Sequence, residues 1–409
     1  MNPAKSDAET EQESFPLTRE PRCPFDPPPA GLARQGSGDR VARIQLADGT
    51  SPWLITGYHE AKTLLSSSHT SSDSSHPGYP VAHIADNQQG SGGLSFILMD
   101  DPEHARLRRM ATGTFTIRRI EALRPKVQAI VDRLIDELVA GPQPVDLVER
   151  FALPLPSLVI CEILGVPYDE HDLFQTHSRT IVRRGATPED QAAAFAALGQ
   201  YLAGLLERKI EKPGDDLLSD LGARVVSGEL ERGDAVQMGI LLLFAGHETT
   251  ANMIALGTVA LLQHPDQLEK LRMSEDPALV GSAVEEMLRY LSIIHDGLKR
   301  TVTADTVVGD VTIPAGDGVI VGLEFANRDP QVFQDAAELD LARNPRNHVA
   351  FGFGVHQCLG QPLARMELQV VYPTLIRRLP ELRLAVPLDE IRFKHDAVIY
   401  GVHELPIRW

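Results

Sequence analysis

The period of the apolar positions changes along the chain. Two short alternating runs, VARIQL and SPWLIT, lie within residues 41–56 and are separated by Asp48-Gly49. Asp-Gly between such runs predicts a β-hairpin. Residues 66–93 are rich in Ser, Gly, Pro and His and show little periodicity, which predicts a long loop. From 101 to about 290 the spacing is mostly helical. DPEHARLRRMATGTF opens on Asp101-Pro102, a cap and first-turn pair, and helical periods follow in RRIEALRPKVQAIVDRLIDELV and AAFAALGQYLAGLLERKIE. TVVGDVTIPAGDGVIV, residues 306–321, predicts a second hairpin region, and the last thirty or so residues mix short strand-like runs with turns. No repeat or composition break marks a boundary. The pattern predicts one large, mainly α unit with small β-sheets over residues 21–409. The polar, acidic first twenty residues predict a disordered lead-in.

One predicted helix is not a surface element. Val236 to Leu262 is apolar on nearly every side, which implies burial all round. Its length would suit a membrane span. That reading fails at its middle, where Gly246-His247-Glu248-Thr249-Thr250 sets four polar side chains in succession. Buried polar groups need partners, so an internal hydrogen-bond network is one explanation.

Composition narrows the class. The chain has 409 residues, 43% hydrophobic and 23% charged, as in globular proteins. A formal charge of −17 argues against a broad nucleic-acid-binding surface. Cys23, Cys161 and Cys358 are too few and too scattered for a disulfide framework and suit a reducing cytoplasm. The N-terminus has no basic start, apolar run or cleavage signature, so neither a signal peptide nor a membrane anchor is expected.

The most unusual stretch is FGFGVHQCLG, Phe351 to Gly360. A free cysteine is most often a small buried hydrophobe. Here Gly352, Gly354 and Gly360 allow positive φ and close approach. Amides freed from regular structure can point at the sulfur of Cys358, which lies just before the strongly helical LGQPLARMELQVVYPTLIRRL. The pattern suits an anionic sulfur ligand. Structural zinc would need four ligands, and His356 with Cys358 offers two. A cysteine nucleophile would need a base, and His356 would serve only if the loop turned it inward. An axial thiolate on haem iron needs one cysteine.

Haem also carries two carboxylates. His104 and Arg108, at i and i+4, share a helix face. Arg300 follows a turn after another helix, and His356 is two residues from the sulfur. Each alone reads as a solvated side chain; together with Cys358 they describe a site for a flat dianion over a sulfur. Glu286 and Arg289, at i and i+3, read by themselves as a surface pair.

At this point the chain resembles the cytochrome P450 superfamily. Phe351, Gly354, Cys358 and Gly360 match the haem-loop pattern F-x-x-G-x-x-x-C-x-G. AGHETT (245–250) resembles the oxygen-activating motif, EMLR (286–289) the E-x-x-R pair, and HARLRR (104–109) the helix that donates to a propionate. ANRDP (326–330) and the closing HELPIRW are similar to bacterial members. CPFDPPP, PSLVICEILGVPY, KPGDDLLS and FGFGVHQCLGQPLAR resemble the actinomycete CYP105 type.

The resemblance implies a P450 fold, a triangular helical prism, with haem b between the long central helix and the cysteine loop. It implies Cys358 as metal ligand, promoting O–O cleavage, with His104, Arg108, Ala245, Thr249, Arg300, Phe351, Gly352, His356 and Gly360 around the cofactor. Glu286 and Arg289 would join a structural network with Arg343 or Arg346. Ala245 and Gly246 are small enough for the helix to pass close over the iron. Thr249, whose hydroxyl can also bond back to its own helix, and Glu248, as proton relay, would be the catalytic pair.

The reaction implied inserts one atom of O2 into a hydrophobic small molecule, such as a macrolide, polyketide, steroid or terpenoid. Electrons would come from NAD(P)H through a ferredoxin reductase and an acidic ferredoxin. Arg106, Arg108 and Arg109 with Arg343 and Arg346 would give that ferredoxin a basic face. The enzyme would be a cytoplasmic monomer. The substrate pocket would be built from Phe96, Leu241, Phe244, Ala245, Ile294, His295, Leu298, Val398 and Ile399, with His83 and the long loop adding polar contacts. Peroxide-driven or ring-coupling chemistry, and a non-catalytic haem-thiolate sensor, are the alternatives.

Overall fold

A computed structural model describes residues 24–81, 95–167, 187–395 and 397–409 continuously, together with positions 14, 15, 17, 19, 170, 172, 176, 177 and 180. Cys23, His83 and the second part of the predicted loop at 66–93, from residue 82 on, lie outside the described residues.

The helices are α1 Pro29–Ser37, α2 Tyr58–Leu65, α3 Glu103–Thr112, α4 Ile117–Ala140, α5 Pro154–Leu164, α6 Pro188–Glu211, α7 Leu217–Val226, α8 Arg232–Gln263, α9 Pro265–Met273, α10 Pro277–Leu291, the short α11 Leu323–Ala326 and α12 Gln361–Arg378. Their starts follow local chemistry. Asp216 accepts from the Ser219 N–H at the head of α7, and Asp276 accepts from the Ala278 N–H at the head of α10, which begins with Pro277. In α4, Ile120, Val127, Val131, Leu134, Ile135 and Leu138 fall on one buried face. Each side chain of this size contributes about 1.5–3 kcal/mol on burial. Helix α8 is the axis: it packs on α5, α6 and α12, and most of its length is buried. It is long and apolar enough to cross a membrane, yet it lies inside the protein.

The strands form small sheets beside this helical body. The largest has the order β2 (Val41–Arg43), β4 (Trp53–Ile55), β10 (Gly318–Val321), β7 (Leu298–Val302), β5 (Thr70–Ser71). The expected hairpin is present: β2 runs antiparallel to β4, with Gly49 at φ 86° in the turn between them. In the second region β8 (Thr306–Val308) and β9 (Val311–Ile313) pair antiparallel. Strand β7 pairs with β10 so that Arg300 stands opposite Val319. The closing β12 (Pro406–Arg408) lies between β11 (Arg383–Leu384) and β6 (Val145–Asp146).

The lead-in needs a correction. Ser14–Phe15 forms β1, parallel to β3 (Gln45–Leu46), while Phe15, Leu17 and Arg19 are buried. Few apolar residues precede position 21, but Phe15 and Leu17 fall into a small cluster with Ile44, Leu46, Leu54, Ile320 and Phe325. Burial that depends on partners thirty to three hundred residues away leaves no local periodicity to read.

Candidate active site

The cysteine loop closes on itself. The Cys358 N–H donates to the Phe351 carbonyl at 2.9 Å, and Gly352 and Gly354 sit at φ 71° and 77°, the region that favours glycine. What Gly354 approaches is the end of α2: a Cβ there would stand 2.1 Å from the Leu65 carbonyl oxygen. Gly360 does not use positive φ; it sits at −78° and caps α12.

Cys358 Sγ is accessible although protein surrounds it, so it borders interior space, not bulk solvent. Burial pushes its pKa up. The N–H groups of Gly360 and Gln361 and the charges of Arg108 and Arg365 pull the other way without winning. The loop by itself therefore does not make the thiolate that the sequence suggests. Its donors are arranged for an anionic sulfur, and a cationic centre at the sulfur would complete the balance. Cys161, by contrast, is fully buried and inert.

The four residues expected around the carboxylates meet. The His104 and His356 rings are 4.0 Å apart, and Arg108 donates to the Gln357 carbonyl. His104 Nδ1 lies 3.1 Å from Asp101, but its Nε2 is buried and has no partner among the described residues. Arg300 is 9% exposed and donates to the Lys299 carbonyl; no carboxylate among the described residues pairs with it. Burial lowers the pKa of both Arg108 and Arg300. His356 is held down at about 3, first by burial and then by Arg300, His104 and Arg108. Uncompensated buried cations are costly. A sulfur ligand beside two arginines with no carboxylate partner among the described residues fits haem b, with Cys358 as the iron ligand and these residues holding its carboxylates.

The polar break in α8 is fully partnered. His247 Nε2 meets the Leu153 carbonyl at 3.0 Å, and Thr249 Oγ1 donates to the Ala245 carbonyl at 2.6 Å, the backward bond anticipated for it. Glu248 pairs with Lys394 at 3.3 Å. Thr250 bonds Glu367, whose buried carboxyl is pushed up to about 8 by desolvation. Ala245 keeps accessible surface in the middle of a buried helix. At Gly246 a Cβ would lie 3.0 Å from Ile160 Cδ1, so its smallness admits α5.

Glu286 and Arg289 are not a surface pair. Both are 0% exposed and joined by two bonds of 2.8 Å, and Arg343 Nε reaches Glu286 at 3.0 Å. Arg346 stays outside this network, bonded to Asn344. The expected basic face is thinner than the sequence suggests. Arg343 is committed to Glu286, Arg108 turns inward and Arg106 pairs with Glu103 at 2.8 Å, which leaves Arg109 and Arg346 exposed. A surface cavity of about 280 Å³ lined by Arg106, Arg109, Met110, Arg224 and Glu229 takes in two arginines of the expected basic face and none of the expected cofactor or pocket residues.

The pocket residues divide. Phe244 stacks on Phe195 of α6 at 4.6 Å, Ile294 faces Ile399 across an isolated bridge, and Leu298 lies under Gly352. Val398 is 40% exposed. Leu241 belongs to the core, and Phe96 is buried with its ring 6.3 Å from His104. His295 is also buried, its Nδ1 turned to Arg19 and Glu324, not available for the polar contact foreseen.

Several residues escaped the sequence reading. Glu285 binds Arg365 at 2.6 Å and His348 at 3.0 Å, and Arg365 in turn lies 4.6 Å from the Phe351 ring centre. Burial alone would raise the Glu285 pKa, but those partners hold it at about 2. Glu367, a charge between Met366 and Leu368 in an apolar helix, was a visible anomaly. Lys394 and Arg19 carried no sequence signal.

Comparison with known proteins agrees with this geometry. The family model "Cytochrome P450" matches residues 173–392. The chain is 50% identical to cytochrome P450-SU2 of Streptomyces griseolus over the whole of both chains. The crystal structure of cytochrome P450 MoxA (CYP105) from Nonomuraea recticatena superposes with a TM-score of 0.92 at 48% identity, covering 97% of this chain and 98% of that one. Mycinamicin VIII C21 methyl hydroxylase MycCI from Micromonospora griseorubida, bound to mycinamicin VIII, superposes with a TM-score of 0.87 at 39% identity, covering 97% and 100%. A cysteine loop, a cation cluster and a polar break in a buried helix, with these likenesses over nearly the full length, place the chain in the cytochrome P450 family, as a CYP105-like bacterial monooxygenase.

Proposed function

We propose that this enzyme hydroxylates or epoxidises a bulky apolar secondary metabolite of the macrolide or polyketide kind, with steroids and terpenoids as further candidates. When bound, haem b supplies the oxygen-activating chemistry; the chain does the rest. Cys358 would hold the iron, with the Gly360 and Gln361 amides and Arg108 and Arg365 steadying the sulfur's charge. His104, Arg108, Arg300 and His356 would fix the carboxylates, and Phe351 and Gly352 would pack against the ring. Ala245 leaves room beside α8, the Thr249 hydroxyl positions a proton, and Glu248 Oε1 relays protons from the side of Lys394. Phe244, Ile294, Leu298, Val398 and Ile399 offer an apolar surface that would exclude water from the substrate.

The single observation that carries this reading is the cluster of His104, Arg108, Arg300 and His356 beside an exposed Cys358, in which neither arginine has a carboxylate partner among the described residues. The test is spectroscopic. Purified protein should bind haem and give the red-shifted carbonyl band of sulfur coordination, and a macrolide or polyketide from a hydrophobic panel should change the iron spin state. A panel that turns up only flat aromatic binders would remove the macrolide assignment.

Electrons would reach this cytoplasmic, monomeric enzyme from NAD(P)H by way of a reductase and an acidic ferredoxin, which would meet Arg109 and Arg346. Transfer should slow as salt rises, since screening shortens to about 8 Å at physiological ionic strength. A flat response would remove the steering role of these arginines.

A further inference from the structure

We infer that Arg19, far outside the motifs of the haem site, is a positioning residue for the pocket wall made by Ile294 and Ile399. The inference rests on the proposed placement of those residues against substrate.

Arg19 is 1% exposed. Its Nη2 donates to Glu324 Oε2 at 2.7 Å, its Nη1 donates to the Asp26 carbonyl at 2.8 Å, and its Nε points to His295 Nδ1 at 3.4 Å. The flat face of the guanidinium covers the Tyr400 ring, 4.2 Å from its centre. The His295 and Tyr400 rings lie 5.5 Å apart. One cation therefore grips two side chains, His295 and Tyr400, that belong to different segments.

Those segments are the wall. The His295 N–H donates to the Val398 carbonyl at 3.1 Å, the Tyr400 N–H donates to the Ile293 carbonyl at 2.8 Å, and Ile294 stands opposite Ile399. In extended chain, neighbouring side chains point to opposite faces. Accordingly Ile293, His295 and Tyr400 are buried behind the wall, while Ile294 and Ile399 are half-buried in front of it. Among the described residues, the segments are held together from within by these two main-chain bonds, which make the Ile294–Ile399 bridge. Arg19 clamps both from behind, anchored by the buried Glu324. A planar guanidinium can bond at its edge and stack on its face at once, which an ammonium group cannot. A segment ahead of the first long helix thus sets the spacing of a surface that touches substrate.

The test compares a small and a bulky azole on haem-loaded protein. Imidazole needs only the iron; clotrimazole must also fit the walls. Arg19→Met should keep the sulfur-type carbonyl band and bind imidazole within about twofold of the unsubstituted protein, while clotrimazole weakens about tenfold, or about 1.4 kcal/mol. Unchanged clotrimazole binding would overturn the inference. So would equal losses for both azoles, because Arg19 would then be a general brace of the fold. If Arg19→Met does not accumulate as pigmented protein, Arg19→Lys decides: it should weaken clotrimazole about threefold with imidazole unchanged, and values equal to those of the unsubstituted protein would overturn the inference. Failure of the parent reading would look different, as an absent carbonyl band before any substitution.

Discussion

Lys394 Nζ lies 3.3 Å from Glu248 Oε1, so a residue near the C-terminus is paired with the acid in the middle of the central helix. The approach is close throughout this region. Gly401 accepts from the Lys394 N–H, and a Cβ on Gly401 would stand 2.0 Å from Asn252 Oδ1 of the same helix. The two side chains remain 15% and 33% exposed, so the pair itself contributes only about 0.2–1 kcal/mol. In the proposed relay, a weakly held carboxylate would leave its partner and take protons from solvent. Replacing Glu248 by Gln should slow product formation roughly 10²-fold and enlarge its solvent isotope effect. Lys394→Met keeps the carboxylate and should cost less than about tenfold by the same measure. Equal losses in the two variants would show that the ion pair, and not the acid, does the work.

Thr249 spends its hydroxyl proton on the Ala245 carbonyl, 2.6 Å away, which leaves its oxygen lone pairs free to accept. Thr249→Ala should retain haem and the substrate-induced spin change. Electrons should be diverted, so hydrogen peroxide released per NAD(P)H rises as product falls. A product yield per NAD(P)H equal to that of the unsubstituted enzyme would contradict the role given to this hydroxyl.

Glu286 carries Arg289 and Arg343 with no exposure of its own. Its removal leaves Arg289 charged in a site with only carbonyl partners, those of Asn327, Ala336 and Glu338. Glu286→Ala should therefore destabilise the protein by roughly 3–5 kcal/mol, read as a fall in the denaturation midpoint. Arg346→Ala, outside the network, should leave the midpoint unchanged.

Glu367 is buried among apolar neighbours, and desolvation raises its pKa from 4.5 to about 8. The folded state thus keeps a proton that the unfolded chain releases. The resulting stability is complete below pH 4.5 and is lost as pH rises towards about 8. Glu367→Gln, neutral at every pH, should flatten that decline. Denaturant midpoints of the two proteins at about pH 5 and about pH 9 check this, and parallel declines would show the carboxyl to be ionised in the fold.

Much of this was legible from residues alone because the signals are local. Helical spacing marked α4 and α8, Asp48-Gly49 marked the first hairpin, and the order of glycines around Cys358 marked a sulfur ligand. Each depends on contacts within a few residues, which sequence records directly. The cation cluster was legible only in part: His104 and Arg108 share a helix, but nothing local brings Arg300 or His356 to them.

What tertiary structure alone decided is where burial overrides the local pattern. Glu286 and Arg289 have the spacing of a surface pair and became the buried centre of a network. Gly246 makes room for Ile160, and His295 turns from the pocket to Arg19. The sulfur of Cys358 sits among donors, yet desolvation pushes its pKa up against them. Arg19 and Lys394 look like solvated charges in sequence. They acquire partners 305 and 146 residues away only once the chain is folded. Sequence determined the elements and the chemical inventory, because those follow from short-range periodicity and residue type. The fold decided which charges lose water and which partners they then meet, because desolvation depends on everything packed around a group.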